Sequence, residues 1–296
     1  TSIGSLIGGM YAAGKLQEVK EWLFTLNAWK VFGLMDISIS LNHLVKGDKV
    51  IEALKEIVPP VNIEDLKLPY KAIATDLYTG EEIIFTEGSL FQAIRASISI
   101  PSLFRPVKIG MRTLIDGGIV NAMPLNRVER NGHDILVAFN VNDIDVDAIR
   151  QMLVDEANAK SEKAADTARR HEENKAVLDS VLHNDTMTFQ EKLKLARMQG
   201  QKIIRHAFEK DDSPEEMTLD PTANYFTLLS RTFDLMNHAN SKMMAEMYPP
   251  DILVNMPFDA FGAISDYARA EEICEAGRTL MCDALDRYEQ STAVNG

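Results

Sequence analysis

The stretch that most constrains this chain is its start, TSIGS at residues 1–5 followed by the glycine- and alanine-rich run LIGGMYAAG. A serine on a sharp strand-to-helix turn adopts strained backbone geometry, so small residues are needed two positions before it and two after it. Gly4 supplies the second of these positions for Ser2, and the first falls before Thr1. The pattern predicts the back half of a nucleophile elbow, although Ser-x-Gly is also typical of a simple helix N-cap.

The helix predicted to follow Ser2 would bring backbone donors to the serine. The first turn of a helix has N–H groups without intrahelical acceptors, and it carries the positive end of the helix dipole. Both features stabilise an oxyanion. We therefore predict that the N–H groups of Ile3 and Gly4 face any oxyanion formed at Ser2.

Strand and helix patterns alternate along the chain, which predicts an α/β fold. We expect a three-layer sandwich in which a mostly parallel sheet is flanked by helices. The predicted strands cover residues 70–76, 82–86, 112–115, 134–141 and 251–255. The predicted helices cover residues 5–35 in two segments, 49–57, 89–97, 124–132, 155–175, 188–208, 222–247 and 267–287.

Three segments have more specific patterns. Apolar residues alternate along 70–76, whereas 134–141 is apolar on both faces, as in a buried parallel sheet. Residues 22–35 are bulky and apolar, and we expect them to pack on a core rather than to form a lid or a lipid-touching surface. Since composition shifts near Asp143, we predict a single domain over 1–296 with a helical insertion over 144–220.

The composition limits the class of protein. A formal net charge of -13 argues against binding nucleic acid and against electrostatic attraction to anionic membranes. Cys274 and Cys282 lie too far apart along one helical pattern to form a disulfide, which predicts free thiols and a reducing, cytoplasmic compartment. No apolar run reaches the length of a membrane span, and a signal peptide upstream of Thr1 stays possible.

A second chemical feature is the run Asp116-Gly117-Gly118, which follows a short predicted strand. Active residues gather at the carboxyl ends of strands in such folds, and the two glycines would let the backbone bend just past the carboxylate. A serine hydroxyl needs a base to remove its proton. None of the six histidines is a convincing candidate, but an aspartate can serve if partial desolvation raises its pKa.

Five blocks in order resemble the patatin-like phospholipase family. They are TSIGSL with YAAG at residues 1–14, ATDLYTG at 74–80, ASISIP with FRPV at 96–107, DGG with NAMP at 116–124, and the C-terminal segment from Asp251 to Gly277. The resemblance covers about residues 1–142 and 222–285. It implies a Ser-Asp dyad hydrolase of lipid acyl esters that uses no metal or cofactor, with Ser2 as nucleophile and Asp116 as base.

The family also places a strand, a glycine-rich oxyanion loop, a helix and the elbow strand before the serine. None of these lies in the sequence given, so we expect the chain as given to be nearly inactive and to lack two strands of the sheet. Loss of an oxyanion donor typically lowers kcat by a factor of about 10² to 10³.

Two other functions stay open from the sequence. Thr1 could be an N-terminal nucleophile of an amidohydrolase that uses its own α-amine as the base. The chain could instead be a degenerate relative that binds acyl chains or partner proteins without catalysis. We predict a lipid or acyl-ester substrate, transient membrane contact and no nucleic-acid partner. Head group, chain length, acyl transfer to an alcohol, oligomeric state and the role of 144–220 stay undetermined.

Overall fold

The structure is a computed structural model that describes residues 1–34, 43–45, 47–182, 225–257 and 269–295. Residue contacts divide the chain into two compact units, one of Thr1–Ile144 with Pro221–Gly296 and one of Asp145–Asp220. The predicted helix over 188–208 lies outside the described residues. The single domain with an insertion stays a prediction.

The elements are as follows in chain order. The helices are α1 Ile3–Ala12, α2 Leu16–Phe24, α3 Ala28–Leu34, α4 Asp48–Ile57, α5 Leu90–Ser97, α6 Gly118–Asn121, α7 Val146–Leu182, α8 Tyr225–Met247 and α9 Ala270–Asn295. The strands are β1 His43–Val45, β2 Ala72–Asp76, β3 Glu82–Phe85, β4 Ser102–Phe104, β5 Val107–Ile109, β6 Arg112–Asp116, β7 Val137–Asp143 and β8 Ile252–Pro257. Short 3-10 turns cover Ile63–Asp65 and Leu125–Arg127.

The mixed α/β class is confirmed, but the prediction of a mostly parallel sheet is wrong for the described strands. The largest sheet has the order β3-β2-β6-β5, and each of its pairs is antiparallel. Short links explain two of these pairs: turns containing Gly80 and Gly110 join β2 to β3 and β5 to β6, whereas a parallel pair needs a crossover of about a dozen residues. Two separate pairs, β1 with β4 and β7 with β8, are parallel.

The main core lies among α1, α2, α4 and α5. Its buried side chains include Met10, Val19, Leu54, Leu90 and Ile94. Helix α1 approaches α5 closely at Gly9, where an added Cβ would stand 2.9 Å from Ile94 Cδ1. A smaller cluster of Ala74, Ala96 and Leu114 joins α5 to β2 and β6. Helix α5 is therefore fixed against both α1 and the sheet, the two elements that carry the candidate dyad.

Several local predictions are corrected. All five residues of β2 are buried instead of alternating, because both α5 and α6 contact this strand. Residues 124–132 form only a single 3-10 turn, and Arg127 there pairs with Glu82 instead of continuing a helix. Strand β7 pairs in parallel as expected, yet Val137, Phe139 and Val141 are exposed, so this strand is not buried on both faces.

The apolar segment over 22–35 is only partly packed. Leu26 and Val31 are buried and Trp22 contacts the main core, but the Trp29 side chain is 84% exposed. Both cysteines are free thiols, as predicted. Within the described ranges, no helix is long and apolar enough to cross a membrane.

Candidate active site

Ser2 occupies a strained turn at the start of α1. Its φ of 51° and ψ of -132° make it the one non-glycine residue with positive φ in the described part of the chain. Such a conformation costs about 1–3 kcal/mol and persists where the surrounding structure holds it. The Ser2 side chain makes no capping bond to the helix. Instead, its hydroxyl Oγ donates to Asp116 Oδ2 at 2.5 Å.

Asp116 ends β6, and its carboxyl group is fully buried. Its two carboxyl oxygens have different partners, since Oδ2 accepts from Ser2 and Oδ1 accepts from the Gly118 N–H at 2.7 Å. Its backbone N–H donates to Ser99 O at 2.9 Å, and its carbonyl accepts from Thr75 Oγ1 at 3.0 Å. The carboxyl group is thus held at both ends and aimed at the serine.

Burial raises the pKa of Asp116 from 3.8 to about 6, against the opposing effects of the bonds from Ser2 and the Gly118 N–H. The charged form is disfavoured because the group is removed from water. The carboxylate is therefore the main form at neutral pH, and it binds a proton far more readily than an exposed aspartate. A pKa near the working pH suits a general base.

Gly117 and Gly118 are required by close approach rather than by an unusual φ. A Cβ on Gly117 would stand 2.3 Å from Ile73 O, and one on Gly118 would stand 2.9 Å from Asn237 Oδ1. The φ of Gly117 is -69°, a value that other residues adopt readily. These two glycines let the turn after Asp116 press against β2 and α8.

Ile3 and Gly4 form the first turn of α1. Their N–H groups come before the first backbone hydrogen bonds of the helix, which the N–H groups of Ser5 and Leu6 donate to Ser2 O. Gly4 is exposed, and a Cβ there would meet no heavy atom within 4 Å. The steric need for a small residue at this position is therefore not found among the described residues.

Two residues at this site have roles that the sequence analysis did not assign. Ser97 is fully buried at the end of α5, and its Oγ accepts from the Ser2 N–H at 2.9 Å. Asn240 on α8 donates to Val120 O at 3.0 Å and accepts from the Ala122 N–H at 3.1 Å, so it holds the segment after the glycines. The sequence feature that could have drawn attention to Ser97 is its position in the block ASISIP at residues 96–101.

The alternative nucleophile, Thr1, has a different partner. Its Oγ1 donates to the carbonyl oxygen of Asn121 at 2.8 Å. A backbone carbonyl is a hydrogen-bond acceptor but not a general base, so Asn121 does not supply a base for the Thr1 hydroxyl. His238 is on α8, and its Nδ1 lies 2.9 Å from the carbonyl oxygen of Asn142 near the carboxyl end of β7.

Residues 1–128 match the sequence profile of the family described as patatin-like phospholipase. The chain is 29% identical to an uncharacterized NTE family protein of Mycobacterium tuberculosis, over 98% of this chain and 82% of that protein. A second uncharacterized NTE family protein of that species is 38% identical over 31% of this chain and 16% of its own length. Neuropathy target esterase sws of Drosophila melanogaster is 28% identical over 49% of this chain and 10% of its own length.

Proposed function

We propose that this chain, whose residues 1–128 belong to the patatin-like phospholipase family, is a serine hydrolase of lipid acyl esters with Ser2 as nucleophile and Asp116 as base. The observation that carries the proposal is the 2.5 Å bond from Ser2 Oγ to Asp116 Oδ2. It joins a hydroxyl on a strained turn at a helix start to a buried carboxylate with raised proton affinity.

In the acylation step, Ser2 Oγ attacks the carbonyl carbon of the ester while its proton passes to Asp116 Oδ2. The carbonyl oxygen becomes an oxyanion in the tetrahedral intermediate. When this intermediate collapses, the bond to the alcohol breaks, and the alcohol leaves with the proton that Asp116 had taken. The acyl group stays bound to Ser2 Oγ, and Asp116 returns to its carboxylate form.

In the deacylation step, Asp116 removes a proton from a water molecule that attacks the acyl carbon. The new intermediate collapses to a carboxylic acid, and Ser2 Oγ recovers its proton from Asp116. The same carboxylate therefore serves both steps. The bond between Asp116 Oδ1 and the Gly118 N–H keeps the carboxyl plane fixed while Oδ2 gains and loses the proton.

The oxyanion in both steps would face the first turn of α1. There the N–H groups of Ile3 and Gly4 combine with the positive end of the helix dipole. A lipid substrate also implies transient contact of this protein with a membrane or micelle.

The experiment uses the intact protein as the organism makes it. We expect hydrolysis of long-chain p-nitrophenyl esters or phospholipids, and loss of that activity in Ser2→Ala and Asp116→Asn. Asp76→Asn is the matched control, because Asp76 is also buried at the end of a strand, next to β6, and bonds the Tyr78 N–H instead of Ser2. Full activity in Ser2→Ala would refute the proposal.

A further inference from the structure

The hydroxyl of Ser97 makes two hydrogen bonds, one with the backbone of the nucleophile and one with the backbone of the sheet. Ser97 Oγ accepts from the Ser2 N–H at 2.9 Å and donates to the carbonyl oxygen of Ile73 at 2.6 Å. The Ser97 side chain is fully buried, and so is its bond to the Ile73 carbonyl. One hydroxyl thus links the backbone of Ser2 to the backbone of β2.

The Ile73 carbonyl also lies close to Gly117, in the turn after Asp116. A Cβ on Gly117 would stand 2.3 Å from this oxygen. The next residue of β2, Ala74, is paired with Asp116 in the sheet. Ser97 therefore connects Ser2 to the part of the sheet that fixes Asp116.

The bond from Ser2 also has a consequence for backbone donors. Because the Ser2 N–H donates to Ser97 Oγ, it is not available to an oxyanion on the substrate. The donors that remain at the turn belong to α1, beginning with Ile3.

We infer that Ser97 is a positioning residue for the proposed hydrolase: its hydroxyl holds the strained backbone of Ser2 and so keeps Ser2 Oγ in line with Asp116 Oδ2. This inference rests on the proposed function. Ser97 acts through the Ser2 backbone in this role. Its removal should slow acylation without weakening substrate binding, because a misplaced nucleophile affects the reacting geometry.

The test compares three variants of the intact protein. Ser97→Ala removes both bonds. Ser97→Cys keeps a similar shape with a thiol that is only a weak donor and acceptor. Ser241→Ala is the matched control, since Ser241 is also fully buried but its Oγ accepts from Asn142 Nδ2 at 3.3 Å, away from Ser2. Each variant is measured for kcat, KM, the rate of fluorophosphonate labelling and thermal unfolding.

We expect kcat and the labelling rate to fall about 10- to 100-fold in Ser97→Ala with KM within about 2-fold, and to fall less in Ser97→Cys. Ser241→Ala should keep the wild-type rates even if its unfolding temperature falls. If Ser97→Ala does not fold, a slower Ser97→Cys still supports the inference. A folded Ser97 variant with wild-type kcat and labelling rate overturns it, whereas an unreactive wild-type protein overturns the proposed function and the inference together.

Discussion

The charge on Asp116 should make the protein less stable at the pH where it is active. Its pKa rises from an ordinary value of 3.8 to about 6 in the folded protein because the carboxyl group is buried. A tenfold change in proton affinity corresponds to about 1.4 kcal/mol, so this rise corresponds to about 3 kcal/mol of folding free energy. Asp116→Asn removes the charge and keeps the shape, and its amide oxygen can still accept from the Gly118 N–H.

The sign of the stability difference between wild type and Asp116→Asn follows from the direction of the pKa change. A carboxyl group with a raised pKa binds protons more tightly in the folded state, so its favourable contribution is complete below the unfolded pKa and is lost as pH rises through the folded pKa. Wild type and Asp116→Asn should therefore have similar stability near about pH 4. Above about pH 7, Asp116→Asn should be more stable by up to about 3 kcal/mol.

Urea unfolding at a series of pH values from about 4 to about 8 measures this difference. Asp251→Asn is the control, because the Leu136 N–H and then Arg130 hold the pKa of Asp251 below its ordinary value of 3.8. The contribution of Asp251 is lost only below the measured range, so the stability difference between wild type and Asp251→Asn should stay constant across it. Stability curves of wild type and Asp116→Asn that run parallel across this range would refute the reasoning about the buried carboxylate.

The remaining predictions concern the frame of the site and its pH dependence. Gly117→Ala should destabilise the protein by about 4 kcal/mol or more, because its Cβ would stand 2.3 Å from Ile73 O, while Gly4→Ala should be tolerated; thermal unfolding compares the two. Arg95→Ala should lower the free energy of unfolding by roughly 3 kcal/mol, since the buried guanidinium of Arg95 donates to Ser99 Oγ and Arg105 O. Arg105→Ala should lower it by less than about 1 kcal/mol, because the Arg105 side chain is half-exposed. The fluorophosphonate labelling rate should rise with pH with a midpoint of about 6, as Asp116 becomes a carboxylate, and a rate independent of pH across that midpoint would contradict the assigned base.

Much of the local structure could be predicted because it follows from short-range patterns. The start of α1 near Ser2, the stop at Gly14, the hairpin over β2 and β3 and the long helix α8 follow from periodicity and turn residues. Strand direction depends instead on which segments meet in space. The alternation of strands and helices favoured parallel pairing, yet the short links around Gly80 and Gly110 impose antiparallel pairs.

The candidate site was predicted as residue types but not as a network. A serine with a glycine two residues later at a helix start, and an aspartate followed by two glycines, are visible in the sequence. The roles of Ser97, Ile73 O and Asn240 depend on contacts between residues far apart in the chain, made by a side chain or a carbonyl with no distinctive local pattern. The reason for Gly117 is of the same kind, because it is an approach distance to another strand and not a value of φ.

The most direct test of the central claim is to identify the residue that a fluorophosphonate modifies in the intact protein. The geometry at Ser2 and Asp116 predicts one covalent adduct, mapped by peptide mass spectrometry to Ser2 and absent from Ser2→Ala and Asp116→Asn. An adduct on another residue, or undiminished labelling of Ser2→Ala, would contradict the assignment of Ser2 as nucleophile.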